Sequence, residues 1–210
     1  MQQFFLMLEK GGIVMIPLLF CSVFLLAIVI ERLFFYRQAK TAMPKFTEVL
    51  TPLLAAGDWL RAQDTCKAFP GVPSLVAAAG LSYLAVGAKP EGLEHSLESS
   101  AAHWAAKLRN RLNYLDLIVT LSPLLGLLGT VTGMINTFSV LTIQSGQTAA
   151  ISGGVGEALI ATATGLCIAI IALIAHSFFA QQLDQLITDT EEIASLIVDA
   201  ANKGNLHETA

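Results

Sequence analysis

Charge is scarce in this sequence. Lys, Arg, Asp and Glu make up 13% of its 210 residues while 54% are hydrophobic; a soluble domain carries about twice that share of charge. Something other than water must therefore solvate much of the surface. Basic excess is lacking too: the formal net charge is −4, which argues against a nucleic-acid partner. Cysteine is sparse and odd in number. Cys21, Cys66 and Cys167 are widely spaced, so they offer no disulfide framework and no metal-ligand spacing; they read as small buried hydrophobes.

What is present is apolar length. A first run, Ile13 to Ile30, is closed by Glu31-Arg32 and is about as long as a bilayer crossing requires. Glu9-Lys10-Gly11-Gly12 precedes it and the basic, aromatic segment Glu31 to Arg37 follows. A secretory signal would want positive charge before the run and small residues after it, so an uncleaved helix is expected, with Pro17 tolerated near its start. From Arg37 to about Arg111 the chain is polar enough for water and shows helical periodicity. Breaks are expected at Pro52, Gly57, Pro70-Gly71, Pro73 and Lys89-Pro90. They divide helices near Ala42–Leu54, Asp58–Phe69 and Pro73–Val86 from a long helix starting at Pro90. Leu93, Leu97, Trp104, Leu108, Leu112 and Leu115 give that long helix one apolar face.

Leu117 to Leu183 then contains one carboxylate, Glu157, one histidine, His176, and no Lys or Arg. The run divides at the uncharged polar turn Gln144-Ser145-Gly146-Gln147, which predicts a helical hairpin. Beyond the bilayer the last helix continues as an amphipathic one. Leu183, Leu186, Ile193, Leu196 and Ile197 form its apolar face and Asp184, Asp189, Glu191 and Glu192 its polar face; fraying is expected from about Asn202. Almost all the Lys and Arg lie between the first and second runs: Arg32, Arg37, Lys40, Lys45, Arg61, Lys67, Lys89, Lys107, Arg109 and Arg111. Basic loops stay in the cytoplasm.

The expected fold is thus an all-α integral membrane protein. It has a short periplasmic N-terminus (1–12), transmembrane helix one (13–31), a helical cytoplasmic domain (32–114) and transmembrane helix two (115–142). A short periplasmic loop (143–150), transmembrane helix three (151–180) and a cytoplasmic C-terminal helix and tail (181–210) complete it.

The hairpin holds the candidate functional residues. Helix two carries Gly126, Gly129 and Gly133, and helix three a small-residue stripe of Ala158, Ala161, Gly165, Ala169 and Ala172. Small residues let membrane helices approach closely. They suit either an oligomer interface or packing within the hairpin. A charged side chain in hydrocarbon costs about 3 kcal/mol or more and marks a functional site by default. Glu157, one to two turns into helix three, has no Lys or Arg near it in sequence. It must face a water-filled cavity, meet another chain or carry a proton; the bland alternative is snorkelling to the headgroups. Thr164, seven residues on, shares its helical face, Thr162 is rotated away, and Thr130 and Thr137 share a face of helix two. Threonines in membrane helices back-bond to their own carbonyls, yet a ring of them around a cavity could relay a proton. His176 reads as a cytoplasmic interface residue or a pH-responsive one; Trp59 and Trp104 read as packing anchors.

The stretch Pro123-Leu-Leu-Gly-Leu-Leu-Gly-Thr-Val131, then Gly133-Met-Ile135 and Phe138, resembles the second-helix signature of the MotA/TolQ/ExbB proton-channel family. Gly156-Glu-Ala-Leu-Ile-Ala-Thr-Ala163, followed by Gly165-Leu166, resembles its third-helix signature. The three-span plan is similar to the ExbB and TolQ branch rather than the MotA branch. The resemblance implies a homo-pentamer in the bacterial inner membrane around a dimer of an ExbD- or TolR-like partner, whose single membrane helix carries an essential aspartate. It implies proton flow that turns one ring against the other and energises TonB-dependent outer-membrane transport, or, for a TolQ-like subunit with a TolA-like partner, envelope maintenance. By position it assigns the family glutamate to Glu157 and the pore threonines to Thr162 and Thr130. Helical geometry instead favours Thr164 as the neighbour of Glu157.

Two other classes remain in view. A membrane enzyme finds no support, because H-E-x-x-H, G-x-S-x-G, paired intramembrane carboxylates and any nucleophile–base pair are missing, and no cofactor or metal site is read. A non-conducting scaffold fits the small-residue stripes equally well; Glu157 and its threonines speak against it.

Overall fold

Glycines and prolines punctuate a chain that is otherwise helical. The computed structural model describes residues 12–86, 92–143 and 148–208, with side chains for 12–86, 92–139 and 153–203. Seven helices follow one another among the described residues: α1 (Met15–Ala39), α2 (Met43–Ala55), α3 (Trp59–Ala68), α4 (Val72–Ala85), α5 (Leu93–Arg109), α6 (Leu112–Ile143) and α7 (Thr148–Glu208). No strand occurs among the described residues. Three helical stretches, beginning at Met15, Leu93 and Gly153, are long and apolar enough to cross a bilayer. Their large side chains point outward: Phe20 is 71% exposed, Ile135 62% and Ile174 66%. Such surfaces are unfavourable in water by about 25 cal/mol per Å². The protein is an all-α membrane protein.

The chain forms two compact units. The first joins the described residues up to Glu31 with Arg111–Phe178; the second joins Arg32–Asn110 with the chain from Phe179 on.

In the second unit, punctuation does much of the folding. Pro44 opens α2 at a position where its missing N–H costs nothing. Gly57, at φ +69°, turns the chain after α2, and Asp58 caps α3 by accepting from the Arg61 N–H at 3.1 Å. Pro52, expected as a break, instead lies inside α2. It stands exposed in the last turns, where the carbonyl freed by its missing N–H can be hydrated. The second turn is held by Gly71, at φ +113°, and by Thr41 Oγ1 donating to the Pro70 carbonyl at 2.8 Å.

Helix α4 is wrapped on most sides: Val72, Val76, Ala77, Leu81 and Leu84 are buried, as are Phe46 and Leu50 of α2. Gly80 lets α5 come close, since a Cβ there would stand 2.5 Å from Leu97 Cδ2. Cys66 of α3 is buried in this core, and burial pushes its thiol up to about 12. Phe179, Leu183, Leu186, Ile193 and Ile197 of α7 are also buried, whereas Leu196 of the expected apolar face is only partly covered. Each large side chain so removed from water contributes about 1.5–3 kcal/mol.

Arg32, only 3% exposed, forms no ion pair among the described residues. Its Nη1 donates to the Leu108 carbonyl at 3.0 Å, its guanidinium lies 5.2 Å from the Phe35 ring centroid, and its Nε has no partner among the described residues. The Tyr36 hydroxyl donates to the same carbonyl at 3.3 Å, and its ring stacks on Phe179 at 5.5 Å. Burial lowers the arginine pKa and pushes the phenol up to about 12.

Three expectations need correction. The long helix expected from Pro90, with an apolar face through Leu115, is interrupted by a turn at Asn110-Arg111; Pro90 itself lies outside the described residues. The fraying expected from Asn202 is not seen, for α7 remains helical to Glu208. Of the three cysteines, only Cys66 is buried; Cys21 is partly covered and Cys167 is exposed on its apolar helix. The hairpin turn at 144–147 lies outside the described residues.

Candidate functional site

In the first unit, glycine and alanine bring two helices into backbone contact. A Cβ on Gly133 would stand 2.9 Å from Ala158 Cβ, one on Gly129 2.5 Å from Ala161 Cβ, and one on Gly126 3.0 Å from Thr162 Cα. From the other side, a Cβ on Gly165 would stand 2.5 Å from the Ser122 carbonyl oxygen and 3.2 Å from Gly126 Cα. As the position climbs along α6 it falls along α7, so the helices run antiparallel. All six small residues expected to mediate packing, Gly126, Gly129, Gly133, Ala158, Ala161 and Gly165, face one another within this chain. Ala172, further along the stripe, is fully buried.

The threonines are spent on backbone. Thr162 Oγ1 crosses between helices to donate to the Gly126 carbonyl at 2.9 Å, with a longer contact to Ala158 O at 3.3 Å. Thr130 donates to Leu127 O at 2.6 Å and Thr164 to Ile160 O at 2.8 Å. Thr137, buried, donates to Gly133 O at 2.8 Å. Each hydroxyl is thus committed as a donor and retains oxygen lone pairs as acceptors. Thr130, Thr162 and Thr164 are half-buried, as is Glu157. None of these hydroxyls is hydrogen-bonded to the Glu157 carboxylate among the described residues.

Glu157 lies instead against Gly12, at the entry to α1. No Lys, Arg or His forms an ion pair with it among the described residues. Helix α1 also meets the hairpin near Gly129, where a Cβ would stand 3.8 Å from Val14. Two residues here escaped sequence reasoning. Gly12 was legible only as half of a Gly-Gly pair before an apolar run. Ser122, fully buried beside the Cys21 thiol, reads in sequence as an ordinary small residue beside Pro123. No metal-binding cluster of His, Cys, Asp or Glu occurs among the described residues, and His176 is half-buried.

Bilayer-length helices zipped by small residues, with a single carboxylate between Leu117 and Leu183, define a polytopic membrane protein. The chain belongs to the MotA/TolQ/ExbB proton channel family, whose model matches residues 71–192, and within it to the ExbB/TolQ branch. It is 34% identical over 194 residues to the biopolymer transport protein ExbB-like 1 of Synechocystis sp., covering 83% of this chain and 71% of that protein. The ExbB-like 3 protein of the same organism is 32% identical over 173 residues, covering 80% and 81%. The Tol-Pal system protein TolQ of Pseudomonas aeruginosa is 39% identical over 98 residues, covering 46% and 42%. The chain is therefore a proton-channel-type membrane subunit.

Proposed function

We propose that this chain is the ExbB-like subunit of a proton-driven motor in the bacterial inner membrane. It assembles as a homo-pentamer with an ExbD- or TolR-like single-span partner bearing a membrane aspartate. The complex uses the proton motive force to energise TonB-dependent transport across the outer membrane. The N-terminus and hairpin turn face the periplasm, and the basic middle region and C-terminus the cytoplasm, as the distribution of Lys and Arg favours. The subunit itself catalyses no reaction.

One observation carries the reading: Glu157 is the sole carboxylate between Leu117 and Leu183, half-buried and without an ion pair among the described residues. A carboxylate kept in such a place at a cost of about 3 kcal/mol has a use for its proton or its charge. Thr130, Thr162 and Thr164 supply acceptor oxygens that a second chain or water could complete into a pathway. The small-residue faces serve the hairpin first, which leaves the large outward side chains of α1, α6 and α7 for lipid and neighbouring subunits.

Glu157→Gln keeps the size of the side chain and removes its titration. Expression in place of the native chain should leave the complex assembled and abolish the transport it drives. Normal transport would remove Glu157 from the mechanism and favour a non-conducting scaffold. The similarity to TolQ sustains a second reading, a subunit for envelope maintenance. Native mass spectrometry of the gently extracted complex separates the two: a TonB-linked companion supports the first, a TolA-linked companion the second.

A further inference from the structure

Gly12 has two properties that do not depend on each other. Its backbone sits at φ +68°, where residues with a Cβ are strained. Independently, a Cβ built on it would collide with Glu157 Oε1 and would lie 2.9 Å from Cδ and 3.4 Å from Cγ. The last atoms of the glutamate thus run through the space where any other side chain at position 12 would begin. The turn is not loose: the Met15 N–H donates to the Gly12 carbonyl at 3.1 Å, and Val14 reaches the close approach at Gly129. The entry to α1, the glycine face of α6 and the carboxyl group of α7 are mutually fitted.

The geometry points to Gly12 as a positioning residue for Glu157. Its missing side chain forms the seat of the carboxyl group, so the start of α1 fixes where that group sits beside the hairpin. The seat itself is a matter of packing. Its consequence for transport rests on the function proposed above.

The test uses the full chain in its membrane complex with Gly12→Ala. A methyl group at position 12 displaces the carboxyl group toward the open side. Modification of Glu157 by dicyclohexylcarbodiimide, read by mass spectrometry of the Glu157 peptide, should become several-fold faster, and proton flux through the complex should fall several-fold. Gly12→Asn separates seat from backbone strain. Asparagine tolerates positive φ yet carries a Cβ, so it should show the same faster modification. Gly156→Ala, with nothing within 4 Å of the added carbon, should change neither readout.

Glu157→Asp withdraws the carboxyl group by one carbon–carbon bond, about 1.5 Å, and clears the added methyl. Its effect on flux should therefore be smaller in the Gly12→Ala background than in the native one, a departure from multiplicativity of roughly twofold or more. If Gly12→Ala and Gly12→Asn do not assemble, rescue of assembly by Glu157→Asp supports the seat and lack of rescue refutes it. Unchanged carbodiimide reactivity in both Gly12 variants, or effects that simply multiply, would overturn the inference. Unimpaired flux in Glu157→Gln would instead remove the transport role while leaving the reactivity result standing.

Discussion

Away from the hairpin, two titratable side chains are defined by what replaces their water. Arg32 has a backbone carbonyl and two ring faces as its partners among the described residues. Asp189 is held above the usual carboxylate range, first by burial and then by the nearby charge of Glu192, with Lys40 acting in the opposite direction. The folded protein therefore binds the Asp189 proton more tightly than the unfolded chain does. The contribution of this group to folding is most favourable below about pH 4, the unfolded value. It is lost as the pH rises through that value toward the folded one. Asp189→Asn removes the charged form and should raise the thermal midpoint of the second unit at pH 7. The gain should shrink as the pH is lowered toward about 4; thermal unfolding in detergent across that range measures it. A difference that does not vary with pH would contradict the assignment.

At the scale of elements, the hairpin ranks its glycines by what surrounds them. Gly165 faces a backbone carbonyl that no rotamer change can move, whereas Gly156 faces nothing within 4 Å. Gly165→Ala should therefore destabilise the α6–α7 pair by about 1–3 kcal/mol, the range for overpacking. Gly156→Ala should be neutral or stabilising by up to about 1 kcal/mol through helix propensity. Thermal unfolding of both variants in one detergent compares them, and equal losses would mean that the close approach is not what matters.

The sequence made the two stripes visible because small residues recur at helical spacing, and it made Glu157 visible because a lone carboxylate stands out in an apolar run. It could not say where the hydroxyls of Thr130, Thr162 and Thr164 point. That depends on rotamers and, for Thr162, on the register that brings it opposite Gly126. Nor could it show that Gly12 touches Glu157, since a contact across so much chain leaves no trace in local periodicity.

For the molecule as a whole, the three apolar lengths were legible and so was the helical character between them. Hydrophobic length and the positions of Gly and Pro carry that information in single residues. The interruption at Asn110-Arg111 was not legible, because leucine spacing runs through it unchanged. The donors that seize the Leu108 carbonyl beside it, Arg32 and Tyr36, lie 76 and 72 residues earlier.

Cys66 has a consequence at this scale as well. With its thiol at about 12, almost none of it is thiolate at neutral pH, and the thiolate is the reactive form. Cys21 and Cys167 belong to bilayer-length helices and are followed on separate peptides. A pulse of iodoacetamide should therefore leave the folded protein unmarked at Cys66, and mass spectrometry of the Cys66 peptide should find label there only as α3 and α4 separate under denaturant. Labelling at the rate of a free thiol in native membranes would refute this. If it holds, the chain carries its own clock, in which each alkylated Cys66 records one opening of the second unit.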